Sequence, residues 1–320
     1  MPAFDEQDYG QALRWSVWKK LLPFLGRYKK AFAGLILFNA LCAAVDVILP
    51  LFQKYAIAHF IQQNTLEGIV PYTAVYLAAV LFQTASVVVF SNGSIQLNMH
   101  LGQDLRRELF HHLQTLSLSF YNVTPVGYLL SRVMSDTNRI ADTVAWNFTD
   151  ILWELCYVFG VFAAMLALNW RLALIVLLIV PAMAILTWYF QNKILRWNRK
   201  VRKLNSRITG AFNEGISGAR TAKTMVLEER MSASFRELTG EMKQAGVRAA
   251  RLSAVYIPLV LLFSTAAVSI VLLRGGQLSL QQALELSTLS AFLSYAVSIF
   301  EPIQMTADNI ADFISLQASI

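Results

Sequence analysis

The sequence is short of charge. Only 15% of its 320 residues are Asp, Glu, Lys or Arg, against roughly 25% in a soluble domain. A chain this long could bury a large core, but too little charge remains to clothe that core in water. Cysteine is scarce as well. Cys42 and Cys156 are the only two and both lie inside apolar runs, so they read as small buried hydrophobes rather than a disulfide framework or a CxxC metal site. His59, His100, His111 and His112 are not spaced with cysteines or carboxylates as metal ligands would be; they read as surface histidines, and no metal is expected. The first residues are no signal peptide: Asp5, Glu6 and Asp8 stand near the start, and the first apolar run is too long for an h-region. These shortages exclude soluble enzymes, disordered scaffolds and secreted disulfide domains.

Apolar residues are abundant, at 56% of the chain with a mean hydropathy of +0.48. They come in near-continuous runs at 31–52, 69–90, 151–168, 172–190, 254–273 and 283–300. Each is about the length that crosses a ~30 Å hydrocarbon layer as a helix. The chain therefore reads as an all-α membrane protein with six transmembrane helices. Residues 1–30 form an N-terminal segment. A domain over 31–320 follows, with helices at about 31–53, 69–121, 143–168, 171–207, 220–274 and 283–320. Pro50, Pro181, Pro258 and Pro302 interrupt spans one, four, five and six, as hinges or as static kinks.

The net charge is +7, and its placement is informative. One side of the membrane carries only Lys54, Arg171 and Arg274; the other 24 of the 27 basic residues lie at the N-terminus, within 106–139 and within 193–251. The positive-inside rule makes that basic side, with both termini, cytoplasmic. The charge is thus a topology signal. No basic soluble module with stacking aromatics is present, so no nucleic-acid partner is expected. Before the first span, Tyr9–Tyr28 reads as an amphipathic interfacial helix. Leu13, Val17, Leu21, Phe24 and Tyr28 form one face, Trp15 and Trp18 are anchors, and Arg14, Lys19, Lys20 and Arg27 reach lipid headgroups.

The external loops are short, about 16 residues after the first span and a few around 169–171 and 275–282. The cytoplasmic connections run to about 60 residues each and keep helical periodicity. Leu101, Leu105, Leu109, Leu113, Leu116 and Phe120 continue the second span as one helix, about 75 Å long from Pro71 to Tyr121 at ~1.5 Å per residue. Ile194, Trp197, Val201, Leu204, Ile208 and Phe212 extend the fourth, and Met231, Phe235, Leu238, Met242, Ala245, Ala249 and Leu252 return along a heptad-like seam. Two helical hairpins thus project into the cytoplasm, turning at the breakers of 122–127 and 210–218. Stiff arms of this kind transmit a push that loops would absorb.

The residues at those turns carry a resemblance. Phe120-Tyr121-Asn122-Val123-Thr124-Pro125-Val126-Gly127-Tyr128-Leu129-Leu130-Ser131-Arg132, ending in Asp136, is similar to the first intracellular loop of ABC exporters. Asn213-Glu214-Gly215-Ile216-Ser217-Gly218 through Lys223, with Glu228-Glu229 beyond, resembles the second, and Phe300-Glu301-Pro302 is similar to the sixth helix. The resemblance to the exporter-type (type IV) transmembrane domain covers essentially the whole chain. It implies a dimer of six-helix domains, with helices four and five swapped onto a partner that is an identical or a paralogous chain. It further implies coupling segments seated on nucleotide-binding domains, at Pro125–Ser131 and Thr209–Gly218. The residues carried over are Pro125, Val126, Gly127, Tyr128, Ser131, Arg132, Asp136, Phe212, Asn213, Glu214 and Gly218. No G-x-x-x-x-G-K-[ST] occurs, so the chain has no phosphate-cradling loop and is expected not to be an enzyme on its own. ATP and Mg are expected on the nucleotide-binding domains. Leu273-Arg274-Gly275-Gly276-Gln277 resembles the ABC signature but directly follows the fifth span, and is expected to be a tight external turn. The chain ends inside a helical pattern at Gln317–Ile320, which favours an ATPase domain cut away over one encoded separately.

Polar side chains inside spans are costly and therefore candidates for function. Asn39 and Asp46 lie in the first span, Gln83, Asn92 and Gln96 in the second, Asn147, Asp150 and Glu154 at the third, and Tyr295 and Glu301 in the sixth. They line a substrate pathway, with carboxylates suited to cationic cargo, or they make interhelical hydrogen bonds. Asp46, the deepest carboxylate, is the first choice; Asp150 and Glu154 sit near the hydrated end. The function expected is the translocation domain of an ATP-driven exporter in a bacterial cytoplasmic membrane, carrying a small lipophilic, lipid or peptide substrate. A secondary carrier or channel, or a scaffold that docks an ATPase, is the alternative.

Overall fold

The computed structural model describes residues 18–316 apart from Lys20 and Pro125. The helices are α1 (Leu22–Arg27), α2 (Lys29–Ala56), α3 (Ile69–Thr115), α4 (Leu118–Val123), α5 (Val126–Leu168), α6 (Trp170–Ser217), α7 (Ala219–Thr224), α8 (Glu228–Leu280), α9 (Leu286–Ser298) and α10 (Phe300–Leu316). Six helical segments among the described residues are long and apolar enough to cross a membrane: α2 with its π-helical end to Ile61, α3, α5, α6, α8, and α9 running into α10. The protein is an all-α, multi-pass integral membrane protein. It divides into two compact units: one holds the described residues up to Leu177 and from Ala267 on, the other Leu178–Ala266.

In the first unit α2 packs against α3 and α5, while α9 and α10 close against α2 and α5. Small residues set the spacing. A Cβ on Gly160 would lie 2.8 Å from Val47 Cγ2, so α5 approaches α2 where only hydrogen fits. Beyond the apolar run, α3 and α5 lie antiparallel, with Phe90 against Trp146, Asn98 Nδ2 donating to Asp142 Oδ1 at 2.5 Å and Arg106 Nη1 to Asn138 Oδ1 at 2.6 Å. Leu21, Leu101, Leu105, Ile140, Ala141 and Val144 make the core there. Tyr28 donates its hydroxyl to Asp104 Oδ2 at 2.9 Å, and burial together with that carboxylate raises its phenol above the ordinary value.

The second unit is an antiparallel hairpin. Tyr256 on α8 meets Thr187 and Phe190 on α6, Arg248 lies over Trp197, and Phe212 faces Phe235, so partners ascend one helix as they descend the other. With 48 and 53 residues, α6 and α8 measure about 70 and 80 Å, more than twice a ~30 Å hydrocarbon layer.

Several local expectations are corrected. Of the interfacial helix expected over Tyr9–Tyr28, Trp18 is helical and α1 is a separate short helix with Pro23 at its start and Tyr28 as its C-cap; Tyr9–Val17 and Lys20 lie outside the described residues. The loop after the first span shrinks to 62–68, because α2 continues through a π-helical turn, Ile57–Ile61; Phe52 and Tyr55 on α2 and Phe60 on that turn pack against Tyr72 and Tyr76. The second long helix stops at Thr115. Leu116 and Ser117 are extended, with ψ of 150 and 154, although the apolar period runs on through them. Gly127, Gly210 and Gly215 are helical; the breaks fall at Thr124, Gly218 and Met225–Leu227, where Val226 takes φ 52. The third long helix begins at Val126, and α8 runs to Leu280. Leu273-Arg274-Gly275-Gly276-Gln277 is thus helix, not turn. A Cβ on Gly275 would lie 2.4 Å from Leu289 Cδ1, so that glycine is a packing contact. Pro50, Pro181 and Pro258 stay inside helices. The sixth span breaks at Ile299, where Pro302 lacks the N–H that would bond the Ser298 carbonyl.

Candidate functional site

Within the first unit the intramembrane polar residues fall into two sets. Asn39 is buried and donates to the Thr149 carbonyl at 2.5 Å. Tyr295, fully buried, donates to the Val47 carbonyl at 2.5 Å, and Tyr157 donates to Ser298 Oγ at 2.7 Å. Each ties α2 to α5, or α9 to one of them, and leaves little of the side chain free for a ligand. Gln83 Nε2 donates to Asp46 Oδ1 at 2.5 Å, and Trp153 also hydrogen-bonds that half-buried carboxylate. Asn92, Gln96 and Glu301 are exposed on their helices, and Asn147 is half-buried. They join no common site with the others.

The second set surrounds Glu154. Its side chain is 2% exposed and accepts from Thr306 Oγ1 at 2.7 Å and from Asn309 Nδ2 at 3.0 Å. A buried carboxylate is tolerable only with such donors, each charge-assisted bond contributing about 1.5–3 kcal/mol. An open cleft of about 410 Å³ adjoins it, lined by Asp150, Trp153, Glu154, Met305, Asp308 and Asn309. Three carboxylates, an indole and a thioether on facing helices make a cleft whose chemistry suits an apolar cation. The burial of Glu154 comes from α10, through Thr306 and Asn309, and not from its depth along the span. Thr306, Asp308 and Asn309 were missed; polar residues spaced two and three apart in an otherwise apolar pattern were the available signal.

Next to the ends of the long helices stand two short six-residue helices, α4, whose Tyr121 donates to the Leu113 carbonyl, and α7, on which Ala222 is buried. The residues expected in coupling segments lie beside them. Val126, Gly127, Tyr128 and Ser131 open α5, Arg132 lies over the Tyr128 ring at 4.7 Å and pairs with Asp136, and Pro125 lies outside the described residues. Phe212, Asn213 and Glu214 are exposed on the last turns of α6, and Gly218 ends that helix, its N–H donating to the Glu214 carbonyl at 2.8 Å. So residues 126–131 and 209–217 are ends of long helices, and the separate short helices are their neighbours 118–123 and 219–224. Around them large apolar side chains face outward: Leu118, Val126 and Leu130 in the first unit, Phe212, Ile216, Met225 and Val226 in the second, between 59% and 81% exposed. Apolar exposure so far along the stalks is unusual unless something covers it.

The family model described as the ABC transporter transmembrane region matches residues 32–303. The chain belongs to that family. Among similar proteins, a candidate ABC transporter ATP-binding protein of Streptococcus pneumoniae is 26% identical over 313 residues, covering 96% of this chain and 52% of that protein. A candidate multidrug export ATP-binding/permease protein of Bacillus subtilis is 25% identical over 294 residues, 90% of this chain and 51% of the other. An ATP-dependent lipid A-core flippase of Colwellia psychrerythraea is 21% identical over 327 residues, 97% and 52%. The chain spans about half the length of the curated relatives it matches. This ABC transmembrane region has two kinds of site: a polar cleft between α5 and α10, and apolar tips at the ends of its stalks.

Proposed function

We propose that this ABC transmembrane region is the translocation half of an ATP-driven exporter in a bacterial cytoplasmic membrane, with its basic side cytoplasmic. ATP and Mg are held by nucleotide-binding domains, which close on ATP, draw the stalk tips together and switch the helices from inward-open to outward-open. The tip residues Leu118, Val126, Tyr128, Phe212 and Ile216 seat on those domains, with α4 and α7 as coupling helices. The transmembrane unit works as a pair, with a second copy or a paralogue, the hairpin Leu178–Ala266 crossing to the partner. Cargo is a small lipophilic molecule, lipid or peptide, and the Glu154 cleft favours cationic forms. The observation that carries this reading is the row of exposed apolar side chains at the ends of helices about 70–80 Å long. These side chains give a motor a surface to grip, and the helices give it a lever.

The test is uptake of lipophilic cations, lipids and peptides into inverted vesicles, with and without a joined or added ABC nucleotide-binding domain. Uptake that needs that domain and ATP supports the reading. Uptake in its absence makes the chain a secondary carrier, and ATPase binding without uptake of any cargo leaves a scaffold.

A further inference from the structure

The neck of the hairpin, just beyond the apolar run of α6, is rich in cations. Between Lys193 and Arg207 there are seven Lys or Arg and no Asp or Glu. On the facing stretch of α8, 238–252, stand Lys243, Arg248 and Arg251 against the single carboxylate of Glu241. Among the described residues none of these ten cations has an ion-pair partner, and all but the half-buried Arg199 are exposed. Like charges in such density repel, and the two helices bring them together. An anionic group placed among them would be held by several of these charges at once.

Position says what. Twenty residues of α6 from Trp170 span about 30 Å, so the apolar segment ends near Phe190. Lys193 comes within one turn of that edge, at headgroup level. Its ammonium donates to the Tyr189 hydroxyl and lies 4.2 Å from that ring's centroid. One turn further on, the Trp197 indole holds two cations from different helices, Lys200 at 5.6 Å and Arg248 at 4.8 Å from its centroid. Indole and phenol rings flanked by Lys and Arg are the side chains that anchor at a lipid headgroup layer. A guanidinium offers a two-pronged grip on phosphate, and an ammonium a point charge beside it. The tip of the same hairpin is different: Glu228, Glu229 and Glu237 interleave with Arg230 and Arg236 there, as a protein-facing surface does.

We propose that the neck around Trp197, Lys200 and Arg248 is a binding site for anionic phospholipid headgroups. The occupant is a membrane lipid and not an acidic protein face, because the band carries ten cations against one carboxylate, Glu241, and begins where the hydrocarbon ends. The headgroup phosphate sits between Lys200 and Arg248 and neutralises both, so the lipid clamps the two helices where they leave the bilayer.

The experiment uses the purified full chain in nanodiscs of equimolar phosphatidylglycerol and phosphatidylcholine, with native mass spectrometry counting retained lipid of each kind. The doubly substituted Lys200→Gln/Arg248→Gln chain is expected to lower the phosphatidylglycerol preference about fivefold or more, near the surface contribution of a single basic residue. Arg248→Lys restores most of it, and the matched-charge tip variant Arg230→Gln/Arg236→Gln leaves it unchanged. Circular dichroism of each variant separates loss of the site from loss of the helices. An equal preference in wild type and neck variant overturns the proposal. So does an equal fall in neck and tip variants. Neck substitutions that spare lipid retention but abolish co-purification with a nucleotide-binding domain overturn it too, and make the band a protein-docking face.

Discussion

The two units of this protein are held together by different forces. The first is a body: its helices approach at glycines, and buried side chains hydrogen-bond across them, Asn39 to Thr149, Tyr295 to Val47, Glu154 to Thr306 and Asn309. The second is an arm, two helices joined by an aromatic and apolar seam from Tyr256 to Phe235. Along it Leu178, Ile185, Trp188, Leu261 and Leu262 face outward at 61–79% exposure. A body with fixed polar partners tolerates little change in its interior. An arm tolerates change along its length but not where it is gripped.

Substitution should divide along that line. The largest effect is expected at the tips. Leu118→Asp or Ile216→Asp removes an exposed apolar contact and should cut ATP-driven uptake tenfold or more, in the range of about 2 kcal/mol seen for buried interface anchors. The thermal midpoint of the isolated chain should stay put. A matching fall in that midpoint would mean the tips are structural. In the body, Gly275→Val drives a side chain into Leu289 and is expected to cost about 1–3 kcal/mol, read as an earlier thermal transition in detergent. Next comes Glu154→Ala, which strands Asn309, leaves Thr306 only the Pro302 carbonyl and should cost about 1–2 kcal/mol, whereas Glu154→Gln keeps one acceptor oxygen for Asn309 and turns an N–H toward the Thr306 hydroxyl, and should lose less. If alanine and glutamine lose equally, the carboxylate is not the tie between α5 and α10. The smallest effect is expected from Phe235→Ala, which removes one ring of a half-open seam for about 0.5–1.5 kcal/mol. Faster proteolysis at Met225–Leu227, with an unchanged global transition, would locate that loss in the arm.

Much of the architecture was legible in the sequence, because hydropathy and period are properties of neighbouring residues. Six apolar runs, the extension of α6 past the membrane and the returning seam of α8 needed no partner to be read. The places that misled share one cause. The leucine period continues through Leu116, yet Leu116 and Ser117 are extended and α4 is a separate helix. Gly275 and Gly276 looked like a turn because glycine permits one, but the neighbour at Leu289 makes Gly275 a close contact inside a helix. The burial of Glu154 is supplied by α10, which the chain order conceals.

By itself the sequence determined that the molecule lives in a bilayer as stiff helices, since the free energy of placing each run in hydrocarbon depends on its own side chains. Tertiary structure alone decided which polar groups are satisfied and hidden, where the stalks end, and which cations crowd together at Trp197. Those outcomes depend on distances between helices, and no local pattern encodes them.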